Sequence, residues 1–256
     1  MQLVILAGGL GTRLSEETSL KPKPMLEIGN MPIMWHIMKH YSSFGVKDFI
    51  ICGGYKINEI KNFFIHYHAF KNDLHINLAS GLTENLNNIA EDWNVKVIDT
   101  GDETSTGGRL LRVREYLIES TFLMTYGDGV SNVDISRLIE FHQTHNKSVT
   151  LTAVKPKGRY GALELHENEV RAFREKLDNK SSWVNGGYFV INASALNSIN
   201  GEAEAWEKEP LSRLSGAGEV AAFKHDGFWQ SMDTARDKDY LNALWQSGER
   251  PWKTWN

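Results

Sequence analysis

Between Ala7 and Thr12 the chain almost loses its side chains: Ala7-Gly8-Gly9-Leu10-Gly11-Thr12 follows the apolar run Leu3-Val4-Ile5-Leu6, and Arg13 comes next. Backbone N–H groups in so bare a stretch can approach an anion closely, and glycine tolerates the positive φ angles that a phosphate-wrapping turn needs. Lys23 follows in Lys21-Pro22-Lys23-Pro24-Met25, where the prolines fix φ and bias the lysines before them towards an extended backbone. An arginine, a stiffened lysine and a set of N–H groups predict a polyphosphate site. A tight strand-to-loop turn with two solvated lysines is the competing reading. Two familiar phosphate loops are excluded: a Walker loop needs Gly-Lys-Ser/Thr where Thr12 and Arg13 stand, and a dinucleotide fingerprint starting at Gly9 needs glycine where Leu14 stands.

Further along, Gly127-Asp128-Gly129 places one carboxylate at the end of the apolar run Phe122–Tyr126. Flanking glycines leave room for ligand and water, so Asp128 is suited to a hard cation such as Mg²⁺, although Asp-Gly pairs are also common in plain turns. Asp233, in Ser231-Met232-Asp233-Thr234, offers a second carboxylate, and Lys176, in Glu175-Lys176, a further cation. The polar loop Thr100–Arg109 presents backbone donors and Arg109, or is simply a helix cap. Asn185-Gly186-Gly187 notches an apolar run, by ligand approach or by a bulge. His36 and His40 are one helical turn apart, but with no third ligand nearby they read as plain helix surface.

Taken together, Arg13, Lys23, Asp128, Lys176 and Asp233 point to nucleotidyl transfer. In that reaction a sugar phosphate attacks the α-phosphorus of a nucleoside triphosphate and pyrophosphate leaves, so catalysis is mostly alignment and placement of cations.

The elements that must position these groups follow a βαβ rhythm. Strands are predicted at 3–6, 48–52, 95–99, 122–126, 149–154 and 183–191, with helices at 32–44, 58–66, 110–117, 138–142 and 235–245. Such alternation predicts an α/β fold with ligands at the carboxyl ends of the strands. Residues 70–94, rich in asparagine, read as an irregular insertion or hairpin used in subunit contact. Five of the eight tryptophans lie in the last fifty-one residues, where core or subunit interface is the expected use.

At 256 residues with no internal repeat or long linker, the chain is expected to form a single domain, 1–256, with an aromatic C-terminal segment, 228–256. The net charge of −4 argues against nucleic acid as a partner. A lone cysteine, Cys52, fits a reducing compartment, and the absence of a leader-like start or a membrane-length apolar run predicts a cytoplasmic protein away from the membrane.

Nearly the whole chain resembles the sugar nucleotidyltransferases. The blocks that carry this are Leu-Ala-Gly-Gly-Leu-Gly-Thr-Arg-Leu at 6–14, Lys-Pro-Lys-Pro-Met at 21–25, Trp-His-Ile-Met at 35–38, Thr-Tyr-Gly-Asp-Gly at 125–129, Glu-Lys at 175–176, Asn-Gly-Gly at 185–187 and Met-Asp-Thr at 232–234. Thr-Gly-Gly-Arg-Leu at 106–110 and the tryptophan tail, Pro-Trp-Lys-Thr-Trp at 251–255, point to the cytidylyl branch. The resemblance implies a Rossmann-like mixed, mostly parallel sheet flanked by helices, of the nucleotide-diphospho-sugar transferase type, with small β insertions and a helical C-terminal tail. It also implies CTP and glucose 1-phosphate as substrates, Mg²⁺, a role in surface-polysaccharide deoxysugar synthesis, and a homo-oligomer.

By the same resemblance Leu6, Ala7, Gly8, Gly9, Gly11, Thr12, Arg13, Lys23, Gly108, Arg109, Gly127 and Asp128 bind nucleotide. Tyr126, Glu175, Lys176, Asn185 and Gly186 surround the sugar phosphate. Arg13, Lys23, Asp128 and Lys176 are the catalytic set, and Asp128 and Asp233 hold the metal. One departure is Leu177, where the family usually has proline.

Overall fold

A computed structural model describes residues 1–9, 11, 18, 20–155, 162–166, 169–174 and 183–255, with backbone alone over 162–166 and 170–174. Its centre is a nine-stranded sheet of β1 (Leu3–Leu6), β2 (Asp48–Gly53), β3 (Asn94–Asp99), β4 (Thr121–Tyr126), β5 (Val149–Val154), β6 (Ala162–His166), β7 (Glu169–Arg174), β8 (Val184–Asn192) and β9 (Val220–His225), in the order β6-β7-β9-β5-β8-β4-β1-β2-β3. From β9 to β3 the strands run one way except β8, which lies antiparallel to both neighbours.

The helices are α1 (Ile33–Ser42), α2 (Ile57–Ile65), α3 (Tyr67–Lys71), α4 (Thr106–Val113), α5 (Ile135–Gln143), α6 (Glu209–Gly216) and α7 (Ala235–Ser247). β1 is buried on both faces: Leu3 and Ile5 belong to the core under α1 and α7, while Val4 and Leu6 point into the core under α4 and α6. This is the side-chain alternation of a strand sandwiched between helix layers. The chain moves outward from β1 through β2 to β3, then returns to the other side of β1 as β4. The crevice between the carboxyl ends of β1 and β4 is therefore a topological switch point, where open α/β sheets bind ligands.

Several expectations change. The helix expected at 110–117 begins at Thr106, so Gly107, Gly108 and Arg109 lie in its first turn rather than in a loop. Close packing explains both glycines: a Cβ would sit 2.5 Å from the Glu204 carbonyl oxygen at 107 and 2.3 Å from that of Glu202 at 108. Residues 70–94, by contrast, do hold a hairpin, one of the two readings given for them: Leu74–Asn77 pairs with Leu82–Asn85. Lys23 is not extended but opens a 3₁₀ turn, closed by the Met25 N–H on the Pro22 carbonyl at 2.8 Å.

His36 and His40 are not surface residues: both are buried, because the C-terminal segment folds over α1. The His36 Nε2–H donates to the Ile28 carbonyl at 2.9 Å and the Trp252 indole donates to its Nδ1 at 3.4 Å. Trp206 and Trp252 are among the largest fully buried side chains. Among the described residues no helix is long and apolar enough to cross a membrane.

Candidate active site

Leu6 is in register with Tyr126 on one side and Cys52 on the other, so the chain leaves β1 and β4 at the same level. The Gly127 N–H donates to the Leu6 carbonyl at 3.0 Å. A Cβ at 127 would lie 3.0 Å from Pro24 Cγ, so glycine here lets the Lys23 turn dock on the strand end. Just beyond Asp128, Gly129–Ser131 pairs antiparallel with Trp229–Ser231, and the Met232 N–H donates to the Asp128 carbonyl at 2.8 Å. That small ribbon brings Asp233 beside Asp128 across the length of the chain. Asp233 is then fixed from both sides: Ser231 donates to its Oδ2 at 2.8 Å, and the capping box of Thr234 and Asp237 starts α7 immediately after it.

Lys23 Nζ lies between the two carboxylates, 2.5 Å from Asp128 Oδ2 and 2.6 Å from Asp233 Oδ1. Its side chain is only 14% exposed. Burial works against the charged ammonium, but the pull of Asp128 and Asp233 outweighs it and leaves the lysine pKa raised. Lys23 is thus held as a cation, in a cluster whose net formal charge is negative.

Arg109 plays a different part. Its guanidinium, buried with 3% exposure, donates to the carbonyls of Gly8 (2.9 Å), Gly53 (3.0 Å), Gly101 (2.7 Å) and Asp102 (3.3 Å) and to Thr100 Oγ1 (2.7 Å). It ties the glycine loop to the ends of β2 and β3. A Cβ on Gly8 would come within 2.1 Å of Arg109 Nη1, so glycine at 8 serves arginine packing as much as anion approach.

A cavity of about 540 Å³ opens at this point, lined by Leu6, Ala7, Gly8, Gly9, Gly11, Lys23, Arg109, Tyr126, Gly127, Asp128 and Asp233. A second, of about 200 Å³, is lined by Asn185 and Gly186 and shares Tyr126, Asp128 and Asp233 with the first. Of the two readings the sequence allowed for the notch in β8, the bulge is present. The β5–β8 register jumps between Leu151 and Ala153, and the bulge it makes forms the wall of this second cavity. Gly187 takes φ +81°, stabilised by its N–H on Asn185 Oδ1 at 2.8 Å, and a Cβ there would collide with the Tyr126 ring.

Gly108 packs against Glu202 and is not among the cavity residues. Thr12, Arg13, Glu175, Lys176 and Leu177 lie outside the described residues. Asp102, Glu103 and Thr104 line the larger cavity but were passed over beside Arg109 in the same polar loop. Glu207 also lines it, its Oε2 accepting from the Thr106 hydroxyl at 2.7 Å, and no local signal in the sequence marks it.

The sequence profile of the nucleotidyl transferase family matches residues 2–246. The chain belongs to that family. Over 256 aligned residues, 100% of each chain, this nucleotidyl transferase is 54% identical to a glucose-1-phosphate cytidylyltransferase of Salmonella typhimurium. It is 38% identical, again over both full lengths, to a probable glucose-1-phosphate cytidylyltransferase of Bacillus subtilis. Among solved structures it resembles HddC from Yersinia pseudotuberculosis, with a TM-score of 0.78 at 22% identity, covering 95% of this chain and 99% of that one. A UDP-glucose pyrophosphorylase solved with UDP-glucose aligns at a TM-score of 0.75 and 15% identity, covering 96% and 98%. Both share the fold, which is the nucleotide-diphospho-sugar transferase architecture expected from sequence.

Proposed function

We propose that this nucleotidyl transferase converts CTP and α-D-glucose 1-phosphate to CDP-glucose and pyrophosphate. The observation that supports the transfer chemistry is the meeting of two cavities at one carboxylate pair, an arrangement that suits two phosphorylated substrates reacting across Asp128 and Asp233. The choice of CTP and glucose 1-phosphate is supported by the full-length relatives.

In this reading the larger cavity takes the nucleotide, with its phosphates along the backbone of the glycine loop, and the smaller takes the sugar phosphate beside Asn185 and Gly186. A phosphate oxygen of glucose 1-phosphate forms a bond to the α-phosphorus of CTP. The bond from that phosphorus to the bridging oxygen breaks, and its electron pair leaves with pyrophosphate. The attacking phosphate is already ionised at neutral pH, so no general base is required. Lys23 and Arg13 neutralise the departing pyrophosphate, Thr12 contacts the triphosphate, and Lys176 with Glu175 orients the sugar phosphate.

The family typically uses a divalent metal. Asp128 and Asp233 fit Mg²⁺ by chemistry and by convergence, since this ion prefers one or two carboxylates supplemented by substrate phosphates and water. When bound, it would neutralise charge on the reacting phosphates. We further propose a cytoplasmic homo-oligomer. The hairpin supports association by leaving Leu78, Leu82 and Leu86 exposed, and the mass in solution tests it.

The test is pyrophosphate release from Mg²⁺, glucose 1-phosphate and CTP, UTP, dTTP, ATP or GTP in separate reactions. Release with CTP alone is expected. Release with another nucleotide alone keeps the transfer chemistry and overturns the cytidylyl assignment.

A further inference from the structure

The ion pairs of Lys23 carry a consequence for cation binding that goes beyond the transfer reaction. The ammonium sits where a cation shared by Asp128 and Asp233 would have to sit, in contact with one oxygen of each. A divalent ion coordinates carboxylate oxygens at about 2.1 Å, so it cannot share both carboxylates with an ammonium already wedged between them. The lysine is well built to occupy this place: its backbone is fixed in the 3₁₀ turn between two prolines. It is equally well built to leave, because only its flexible four-carbon stem need rotate.

We propose that Lys23 is an internal counter-cation that holds the Asp128–Asp233 site closed to divalent ions until a nucleotide's phosphates draw it away. With Lys23 in place the three groups carry a net formal charge of −1, a poor attractor for a divalent ion in competition with water. A triphosphate arriving on the glycine loop offers the ammonium a stronger partner, and its departure leaves two carboxylates facing the incoming metal. Metal and nucleotide therefore enter together, and the free protein does not retain the metal. The inference rests on Asp128 and Asp233 being the cation ligands, and is independent of which base or sugar the enzyme accepts.

The test is Mn²⁺ binding without nucleotide, followed by electron paramagnetic resonance of the free ion, for wild type, Lys23→Gln and Lys23→Arg, with folding checked by circular dichroism. Weak binding is expected for wild type and Lys23→Arg, and binding at least about tenfold tighter for Lys23→Gln, which lacks the competing ammonium. Adding Asp128→Asn to Lys23→Gln should abolish the gain. Equal affinity in wild type and Lys23→Gln would overturn the counter-cation role while leaving the carboxylates as ligands. Should Lys23→Gln fail to fold, wild type alone decides, since low-micromolar Mn²⁺ binding without nucleotide contradicts a closed site. If no variant binds Mn²⁺ even with CTP present, the cation reading itself fails and the proposal falls with it.

Discussion

A buried arginine and a partly buried lysine face one cavity and have opposite fates. Arg109 gives its hydrogen bonds to four carbonyls and a threonine hydroxyl, all neutral and none able to leave. Lys23 gives its own to two carboxylates, which a metal ion can take over. The planar guanidinium, always charged and with a fixed fork of donors, suits a permanent joint between three loops, whereas an ammonium on a flexible stem suits exchange between partners. A cation satisfied by backbone oxygens frames a site. One balanced by carboxylates belongs to its chemistry.

The difference is broken most severely at the carboxylates. Asp128→Asn keeps the shape of the side chain but removes a charge that Lys23 and the metal both need. Turnover should fall by about a thousandfold or more, the scale on which transition-state charge stabilisation is lost. Full activity in this variant would remove Asp128 from metal binding.

The next largest effect falls on the other cation, and on stability. Arg109→Ala removes five hydrogen bonds, three of them in buried surroundings, although the Gly53 carbonyl and the Thr100 hydroxyl keep each other. Unfolding free energy should drop by about 3–5 kcal/mol. Added Mg²⁺ with CTP should leave most of that deficit unrepaired, whereas the same ligands should restore much of whatever stability Lys23→Gln loses. Denaturant titrations of the two variants, with and without ligands, measure this. Equal rescue of both would erase the distinction drawn between them.

These two sites were not equally legible. Gly127-Asp128-Gly129 could be read from sequence because a strand end, a carboxylate and two glycines are all local. Asp233 was within reach because Met-Asp-Thr precedes a helix with clear periodicity. Arg109 was noticed as chemistry but not as architecture, since its role depends on which carbonyls converge around it: those of Gly8, Gly53, Gly101 and Asp102 come from three separate loops. Gly108 was read as bare backbone for a ligand, but its smallness serves contact with Glu202, a residue far along the chain. The same non-local cause hid the histidines. A helix with spaced polar residues looks half exposed until something covers it, and α1 is covered by a tail more than two hundred residues downstream.

That tail allows a smaller test, remote from the cavity. Burial is the main reason that His36 and His40 have their pKa values lowered to about 4. At His36 the Ile28 and Met31 carbonyls oppose it, and burial prevails. The Ile28 carbonyl can only accept and the Trp252 indole can only donate, so the imidazole is neutral with its proton on Nε2, and a second proton on Nδ1 would confront the indole N–H. The unfolded chain, with histidines near 6.5, binds more protons between pH 6.5 and 4 than the folded one does. Stability is therefore fully present above pH 6.5 and declines as pH falls through that window, by an amount on the order of 3 kcal/mol per histidine once pH reaches 4. His36→Gln keeps a donor but cannot take up a proton, so its denaturation midpoint should fall less between pH 7 and pH 4.5 than that of wild type. An identical pH slope in both proteins would mean that His36 does not contribute to the acid sensitivity.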